Sequence, residues 1–218
     1  MHEFLTRLLT DQLTLEERLV FASQHKPRPS SDPQYHCYVP RLFELLRHTG
    51  AAHLKRDIYL ALENILPETI PNHQVLLLVK EVEGGFNVQL ALNLLLKIQI
   101  PRHINLDPIK IIAGGDDVNR HLAILVFRNV HWREGEPFLL QLCRDCQENP
   151  EDMLETIQSI CQALESIGTA NSLSVLLALK QSISAKQTQQ DIEKTIRRIQ
   201  TKYSQIDSAP APEQVKIR

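Results

Sequence analysis

The chain of 218 residues is 43% apolar but only 5% aromatic, and its seven glycines are too few for the turns of an all-β protein. Its formal net charge of -2 excludes an overall electrostatic field that would recruit nucleic acid or an anionic membrane. No apolar run reaches the roughly 18 residues of a membrane-spanning helix, and the charged N-terminus MHEFLTRLLTDQ is unlike a secretory signal. We therefore expect a helical, cytoplasmic protein.

Residues 1–34 predict a short helical segment followed by a linker. Apolar residues recur on one helical face over 2–9. Thr14 and Glu17 have the spacing of a capping box, in which each side chain bonds the other residue's backbone amide at a helix start. The stretch KPRPSSDPQ over 26–34 contains three prolines and no apolar residue, which indicates a loop or linker.

Beyond this linker the sequence repeats a pair of helix signals separated by turn residues. Pro40 suits the first turn of the first helix, and Gly50 suits its end. In the second helix of each pair, apolar residues recur at i, i+4, i+7 and usually i+8. These stripes begin at Leu54, Val88, Val118, Met153 and Ile192. The starts lie about 30–39 residues apart, as in helical-repeat proteins, and stacking of neighbouring hairpins would bury the stripes.

The segment LESIGTANSLSVLLALKQ, residues 164–181, places a single glycine between two strongly helical stretches. We expect Gly168 to lie just past the last turn of the first helix in a left-handed conformation, which glycine adopts without steric cost. Thr169 or Asn171 would then cap the next helix.

The same segment resembles the junction between HEAT repeats, where a helix ends in an Ile-Gly pair before the next Leu-rich helix begins. The stretch GGDDVNRHLAILVFRNV is similar to a HEAT second helix, because Asp117, Val118 and Arg120 approximate its Asp-Val-Arg opening, with Asn119 inserted. The resemblance covers about 40–203 and is strongest in the last two hairpins. It implies an all-α fold, a right-handed α–α superhelix of about five HEAT-like helical hairpins.

Three regions follow from these patterns. Residues 1–34 form the N-terminal helical segment and Pro-rich linker, and residues 35–203 form the HEAT-like array. The tail over 204–218 contains Pro, Ala and scattered charges without a periodic apolar face, so we expect it to be disordered.

A cysteine cluster is the first candidate for chemistry. Cys143 and Cys146 form a C-x-x-C motif, with Cys161 in the next helix and His121 and His131 in the preceding one. Zinc requires four ligands that converge on one point. However, Cys161 belongs to an apolar stripe, and a regular helix lacks the usual knuckle turn. We interpret these cysteines as packed or half-exposed reduced thiols and expect no metal or other cofactor.

The remaining chemistry-bearing residues form no catalytic pattern. The nine histidines are scattered, and none has the spacing of a metalloprotease motif or an evident nucleophile beside it. The glycine pairs at 84–85 and 114–115 follow no strand and precede no Lys-Ser/Thr, so they indicate turns and not a phosphate-binding loop. We therefore expect a non-enzymatic protein.

A set of polar residues is the better candidate for partner binding, because second helices line the concave side of HEAT-like stacks. These residues follow the stripe starts and are Lys55, Arg56, Gln89, Asn119, Arg120 and Glu155. The alternative is a structural ladder between repeats, with Asp117 and Arg120 paired across adjacent units. Trp132 is a further candidate, as an interface anchor if exposed and as core if buried.

The last helix contains several cations, Lys186, Lys194, Arg197, Arg198 and Lys202. A nucleic-acid-binding solenoid would repeat such a stripe along several units to contact phosphates. Here the cations are confined to one helix and alternate with Asp191 and Glu193, so we interpret this helix as a solvated terminal cap.

We expect the protein to be a scaffold or adaptor that binds another protein on its concave face, in an assembly with a different chain and without a membrane. An alternative follows from a second resemblance. Small HEAT-like chains are similar to the subunits of phycobilin lyases and related chromophore-handling proteins, which attach or remove bilins. That function would place Cys or His near the groove and shift the absorbance of an added bilin. Nucleic-acid binding is disfavoured by the net charge.

Overall fold

A computed structural model describes residues 1–10, 12–14, 16–18, 20, 33–85, 87–115, 118–130 and 135–207, and every regular element within these ranges is helical. Within the same ranges, no helix combines the length and apolarity needed to cross a membrane. The predicted all-α fold is therefore confirmed for the described part of the chain.

The chain divides into two compact units, Met1–Trp132 and Arg133–Arg218. The first unit contains α1 His2–Leu9, α2 Val39–His48, α3 Ala52–Ile65, α4 Asn72–Glu83, α5 Val88–Leu95, α6 Asp107–Gly114 and α7 Arg120–Val126. The second contains α8 Gly135–Cys146, α9 Leu154–Ile167, α10 Ala170–Ser182 and α11 Lys186–Asp207. Short 3₁₀ helices cover Pro33–Tyr38, Phe127–Asn129 and Pro150–Met153.

In the first unit, consecutive helices pair as α2 with α3, α4 with α5 and α6 with α7. The second helices α3, α5 and α7 pack in series, and the first helix α4 packs on α6. Polar bonds link successive hairpins: Lys97 Nζ donates to the carbonyl of Glu63 at 2.6 Å, and Asn129 Nδ2 donates to that of Leu95 at 3.3 Å. Both bonds join residues 34 positions apart, so successive hairpins keep the same register.

The second unit has the same arrangement. Helix α8 pairs with α9 and α10 with α11, while α8 packs on α10 and α9 on α11. Glu136 of α8 accepts a bond from the Thr169 amide at 2.7 Å, and Glu151 accepts one from the Ser184 amide at 2.8 Å. Each bond spans 33 residues, and each places a carboxylate of one hairpin at a helix start of the next.

The apolar stripes of the second helices are largely buried. In α3, Leu54 and Ile58 are buried, and in α11 the isoleucines at 192, 196 and 199 are also buried. Val118 departs from the prediction, because its exposed fraction is 86% and α7 begins only at Arg120. The next two predicted positions, Leu122 and Leu125, are only half-buried, whereas Ala123, Ile124 and Val126 are buried, so the buried face of α7 differs from the predicted third stripe.

Gly168 does not have the predicted left-handed conformation, since its φ is -62° and its ψ is 144°. A Cβ at this position would lie 2.5 Å from the carbonyl oxygen of Leu164 and 2.9 Å from Cδ1 of Ile199. The glycine is needed here because the chain has no room for a side chain. The predicted cap of the next helix is confirmed, because the Thr169 side chain accepts a bond from the Asn171 amide.

The N-terminal segment contains the predicted capping box. The Thr14 amide donates to Glu17 Oε2 at 2.8 Å, and the Glu17 amide donates to Thr14 Oγ1 at 3.3 Å. Nearby, Arg18 Nη1 lies 2.9 Å from Asp57 Oδ2 in a buried ion pair, which attaches this segment to α3. Most of the predicted linker, residues 26–32, lies outside the described residues.

At the other end, α11 continues to Asp207, beyond the predicted end of the array at 203. The rest of the predicted tail lies outside the described residues.

Candidate functional site

The first of the predicted partner-binding residues is Lys55, whose side chain is largely buried in an ion pair. Its Nζ lies 2.8 Å from both carboxylate oxygens of Glu81, and the Tyr59 hydroxyl donates to Oε2 of the same carboxylate at 3.2 Å. Burial, followed by the charge of Glu81, raises the pKa of Tyr59. Lys55 thus links α3 to α4, which is the arrangement that the structural-ladder interpretation anticipates.

The other predicted residues have different surroundings. Arg56 is exposed, with its Nε 4.0 Å from Asp57 Oδ1, and Gln89 is exposed on α5. Asn119 and Arg120 are half-buried at the start of α7.

Glu155 is exposed at the start of α9, in the second unit. Trp132 and Asp117 lie outside the described residues, so the predicted anchor and the predicted pairing of Asp117 with Arg120 stay predictions.

The described residues of the second unit contain a polar groove between α9 and α11, formed by two adjoining cavities of about 630 Å³ and 290 Å³. The two cavities share Glu165 and Lys194. We call this surface the α9–α11 groove. The residues that α9 contributes are Gln158, Cys161, Gln162 and Glu165. The residues that α11 contributes are Gln187, Gln190, Asp191, Glu193, Lys194, Thr195, Arg197, Arg198, Thr201 and Lys202.

Helical periodicity explains why these side chains share a groove. Gln158, Gln162 and Glu165 recur at i, i+4 and i+7 along α9, so they lie on one face. The adjacent face holds buried Ile157 and Ile160, which pack into the unit. The apolar stripe therefore orients α9 and directs the polar row toward α11.

One part of the groove is lined by glutamine amides. The side chains of Gln158, Gln162 and Gln190 have no hydrogen-bond partner among the described residues, whereas Gln187 Nε2 donates to Asp191 Oδ1 at 3.4 Å. An amide side chain has two N–H donors and a carbonyl acceptor. These three side chains can therefore accept and donate hydrogen bonds to a molecule in the groove.

The other part is lined by charged side chains. Arg197 Nη2 lies 2.5 Å from Glu193 Oε1, and Lys180 Nζ lies 3.2 Å from Glu193 Oε2. The hydrogen bond from Arg197, followed by that from Lys180, lowers the pKa of Glu193. Arg198 of α11 forms an ion pair with Glu165 of α9, so this pair spans the groove.

Two further cations complete this part. Lys202 Nζ donates to the carbonyl of Ser166 at 3.1 Å, near the C-terminus of α9. Lys194 is exposed and has no ion-pair partner among the described residues.

Sequence reasoning identified these cations but interpreted them as a solvated cap, and it did not identify the glutamines. Exposed glutamines have no apolar periodicity of their own. The available signal was their spacing beside a buried stripe, as in Gln158 and Gln162 beside Ile157 and Ile160.

The cysteine cluster is buried, which is one of the two expected arrangements, packed or half-exposed. Cys143, Cys146 and Cys161 are each at most 2% exposed. Burial raises the pKa of Cys161 to about 12 and also raises that of Cys143. The described residues contain no group of three or more His, Cys, Asp or Glu side chains that could hold a metal ion, and His131 lies outside them.

No model of a protein family, no curated protein and no solved structure matches the chain. The resemblance to HEAT repeats therefore stays a prediction.

Proposed function

We propose that the protein is a non-enzymatic scaffold that holds an extended segment of another protein in the α9–α11 groove. The observation behind this proposal is the row of uncommitted amides, Gln158, Gln162 and Gln190. An extended peptide exposes one N–H and one C=O at almost every residue, and these groups need partners when water is displaced. Glutamine side chains can satisfy both kinds of group without requiring a particular peptide sequence.

We further propose that the hairpins form a right-handed, HEAT-like superhelix whose second helices line the concave face. The contacts inside each unit support this proposal, because second helices pack on second helices and first on first. The 33- or 34-residue spacing of the bonds between hairpins supports it as well. On this view the α9–α11 groove and Glu155 lie on the binding side of the second unit, and the exposed residues Arg56 and Gln89 lie on that of the first.

The chemistry of the lining favours binding over catalysis. Its thiol, Cys161, is buried, and a pKa of about 12 keeps it protonated near neutral pH. A protonated thiol is a poor nucleophile. The exposed groups of the groove are amides, ammonium and guanidinium groups, hydroxyls and carboxylates, which are suited to hydrogen bonds and ion pairs.

Site-specific photo-crosslinking tests the proposal in the 218-residue chain. A benzophenone amino acid replaces Gln162 in the groove or, as a matched control, Gln181, which is exposed on α10 and lines neither cavity. In a lysate of the source cells, we expect a discrete protein adduct from position 162 and none from position 181. The same adduct at both positions, or none from a chain shown to be folded, would contradict the proposal.

Substitution of the amides tests the same contacts with the captured partner. Gln162→Ala and Gln190→Ala each remove hydrogen bonds worth about 0.5–1.5 kcal/mol, so each should weaken binding about fivefold. Gln181→Ala should leave the dissociation constant unchanged. Titration calorimetry measures the three constants, and equal values for all variants would exclude the groove as the contact surface.

A further inference from the structure

We infer that the segment held in the α9–α11 groove is acidic, with Asp or Glu side chains against Lys194, Arg197 and Arg198. This inference rests on the proposed function and specifies the chemistry of the partner. The sequence alone indicated that these cations belong to a solvated terminal cap. A solvated cap would show no preference for an acidic ligand over a neutral one.

The groove has more cations than carboxylates. The larger cavity is lined by four cations, Lys194, Arg197, Arg198 and Lys202, and by two carboxylates, Glu165 and Glu193. The smaller cavity adds one carboxylate, that of Asp191, which leaves an excess of positive charge over the whole lining. This local excess contrasts with the net charge of -2 for the chain.

The ion pairs leave this excess available. Glu193 is shared between Arg197 at 2.5 Å and Lys180 at 3.2 Å, so one carboxylate faces two cations. Lys194 is exposed and has no carboxylate partner among the described residues. A carboxylate of an incoming segment would therefore find an unmatched ammonium group beside two guanidinium groups.

The end of α9 does not oppose an acidic ligand. The C-terminus of a helix has a partial negative charge on its unpaired carbonyls. Here Lys202 donates to the carbonyls of Glu165 and Ser166, which compensates that charge at the end of the groove. The amides of Gln158, Gln162 and Gln190 line the same α9–α11 groove, so one segment can contact amides and cations together.

Fluorescence anisotropy with defined peptides tests the inference. The probes are short fluorescein-labelled peptides of equal length, in which Ser alternates with Glu, Gln or Lys. We expect the Glu peptide to bind about tenfold more tightly than the Gln peptide, since a few exposed ion pairs each contribute about two- to fivefold. Its affinity should fall with added salt, because the screening length is only about 8 Å at physiological ionic strength.

Single substitutions locate the contact. Lys194→Gln should weaken binding of the Glu peptide about threefold, and the fold should be retained because Lys194 is exposed and unpaired. Lys80→Gln is the matched control, since Lys80 is exposed on α4 in the first unit and lines neither cavity. Circular dichroism verifies that both variants are folded. Equal losses in the two variants would assign the effect to net charge and would overturn the inference.

Other outcomes separate the inference from the proposed function. Equal affinities of the three peptides would overturn the acidic preference, and the adduct at position 162 would then decide independently whether the groove binds protein. Tighter binding of a single-stranded oligonucleotide than of the Glu peptide would assign the cations to nucleic acid and would also overturn the inference. An acidic preference that falls about threefold in Lys194→Gln but is unchanged in Lys80→Gln would support it.

Discussion

At the scale of single residues, Gly168 shows how one position joins two hairpins. Its backbone is extended and any residue could adopt it, yet a Cβ would collide with the Leu164 carbonyl and with Ile199 of α11, and it would lie tightly against the Ser172 hydroxyl. The glycine is therefore a requirement of packing. Glu136 holds the same turn in place, because its carboxylate accepts hydrogen bonds from the Thr169 amide, the Thr169 hydroxyl and the Ser172 hydroxyl.

Gly168→Ala should destabilise the protein by about 1–3 kcal/mol, the usual cost of forcing extra volume into a packed site. The measurement is the midpoint of thermal unfolding, which shifts by about 2–4 °C per kcal/mol in a protein of this size. Gly50→Ala is the control, because a Cβ there would meet nothing within 4 Å. A similar midpoint for both variants would show that the contacts at Gly168 do not constrain the turn.

At the scale of helices, carboxylates of one hairpin cap the helices of the next. Glu136 serves the start of α10 in this way, and Glu151 serves the start of α11 through the amide and hydroxyl of Ser184. A carboxylate at a helix start accepts bonds from unpaired amides and interacts favourably with the helix dipole. The caps therefore connect local helix stability to the packing between hairpins.

Acid should weaken the cap of α11. The hydroxyl and then the amide of Ser184 lower the pKa of Glu151 below its usual value of 4.5. A lowered pKa in the folded state means that the stabilisation is complete above the unfolded pKa and is lost as the pH falls through the folded pKa. Glu151→Gln should thus be less stable than the wild type near neutral pH, and this difference should shrink as the pH falls below 4.5 and through the lowered pKa of the folded state.

Urea unfolding at about pH 7, 5 and 3 measures that difference. Glu148→Gln is the matched control, because Glu148 is exposed, caps no helix in the described structure and loses the same charge. A difference for Glu151→Gln that is constant with pH would mean that the charge of the carboxylate does not stabilise the cap.

At the scale of the whole molecule, the two units differ in how far their cysteines are exposed to solvent. Cys37, in the first unit, is exposed, whereas Cys143, Cys146 and Cys161, in the second, are buried. Burial raises the pKa of Cys143 and Cys161. These thiols become reactive only when the second unit opens, because both solvent access and the thiolate form are required.

A thiol reagent at about pH 8 should modify one cysteine rapidly in the native protein and the other three only slowly or after unfolding. With an aromatic disulfide as the reagent, each modified cysteine releases one coloured thiolate, so the absorbance gives the number of modified cysteines. Cys37→Ser should abolish the rapid phase and leave the slow one unchanged. Rapid modification of two or more cysteines in the native protein would contradict the packing of α8 against α9.

The amino-acid sequence alone determined the helices and the apolar stripes that they bury, because both depend on the spacing of nearby residues. Helix pairs, a cap at Thr169 or Asn171 and the capping box of Thr14 and Glu17 were predicted for this reason. The start of the third stripe at Val118 was wrong, since an apolar residue just before a helix resembles one inside it.

Only the tertiary structure decided how the polar residues are used. Lys55 pairs with Glu81, 26 residues away, and Arg198 pairs with Glu165, 33 residues away, while Gln158, Gln162 and Gln190 keep their amides uncommitted within the described structure. Whether a polar side chain is paired depends on the register between helices that are distant in sequence. That register is set by the packing of many side chains, so no local spacing contains it.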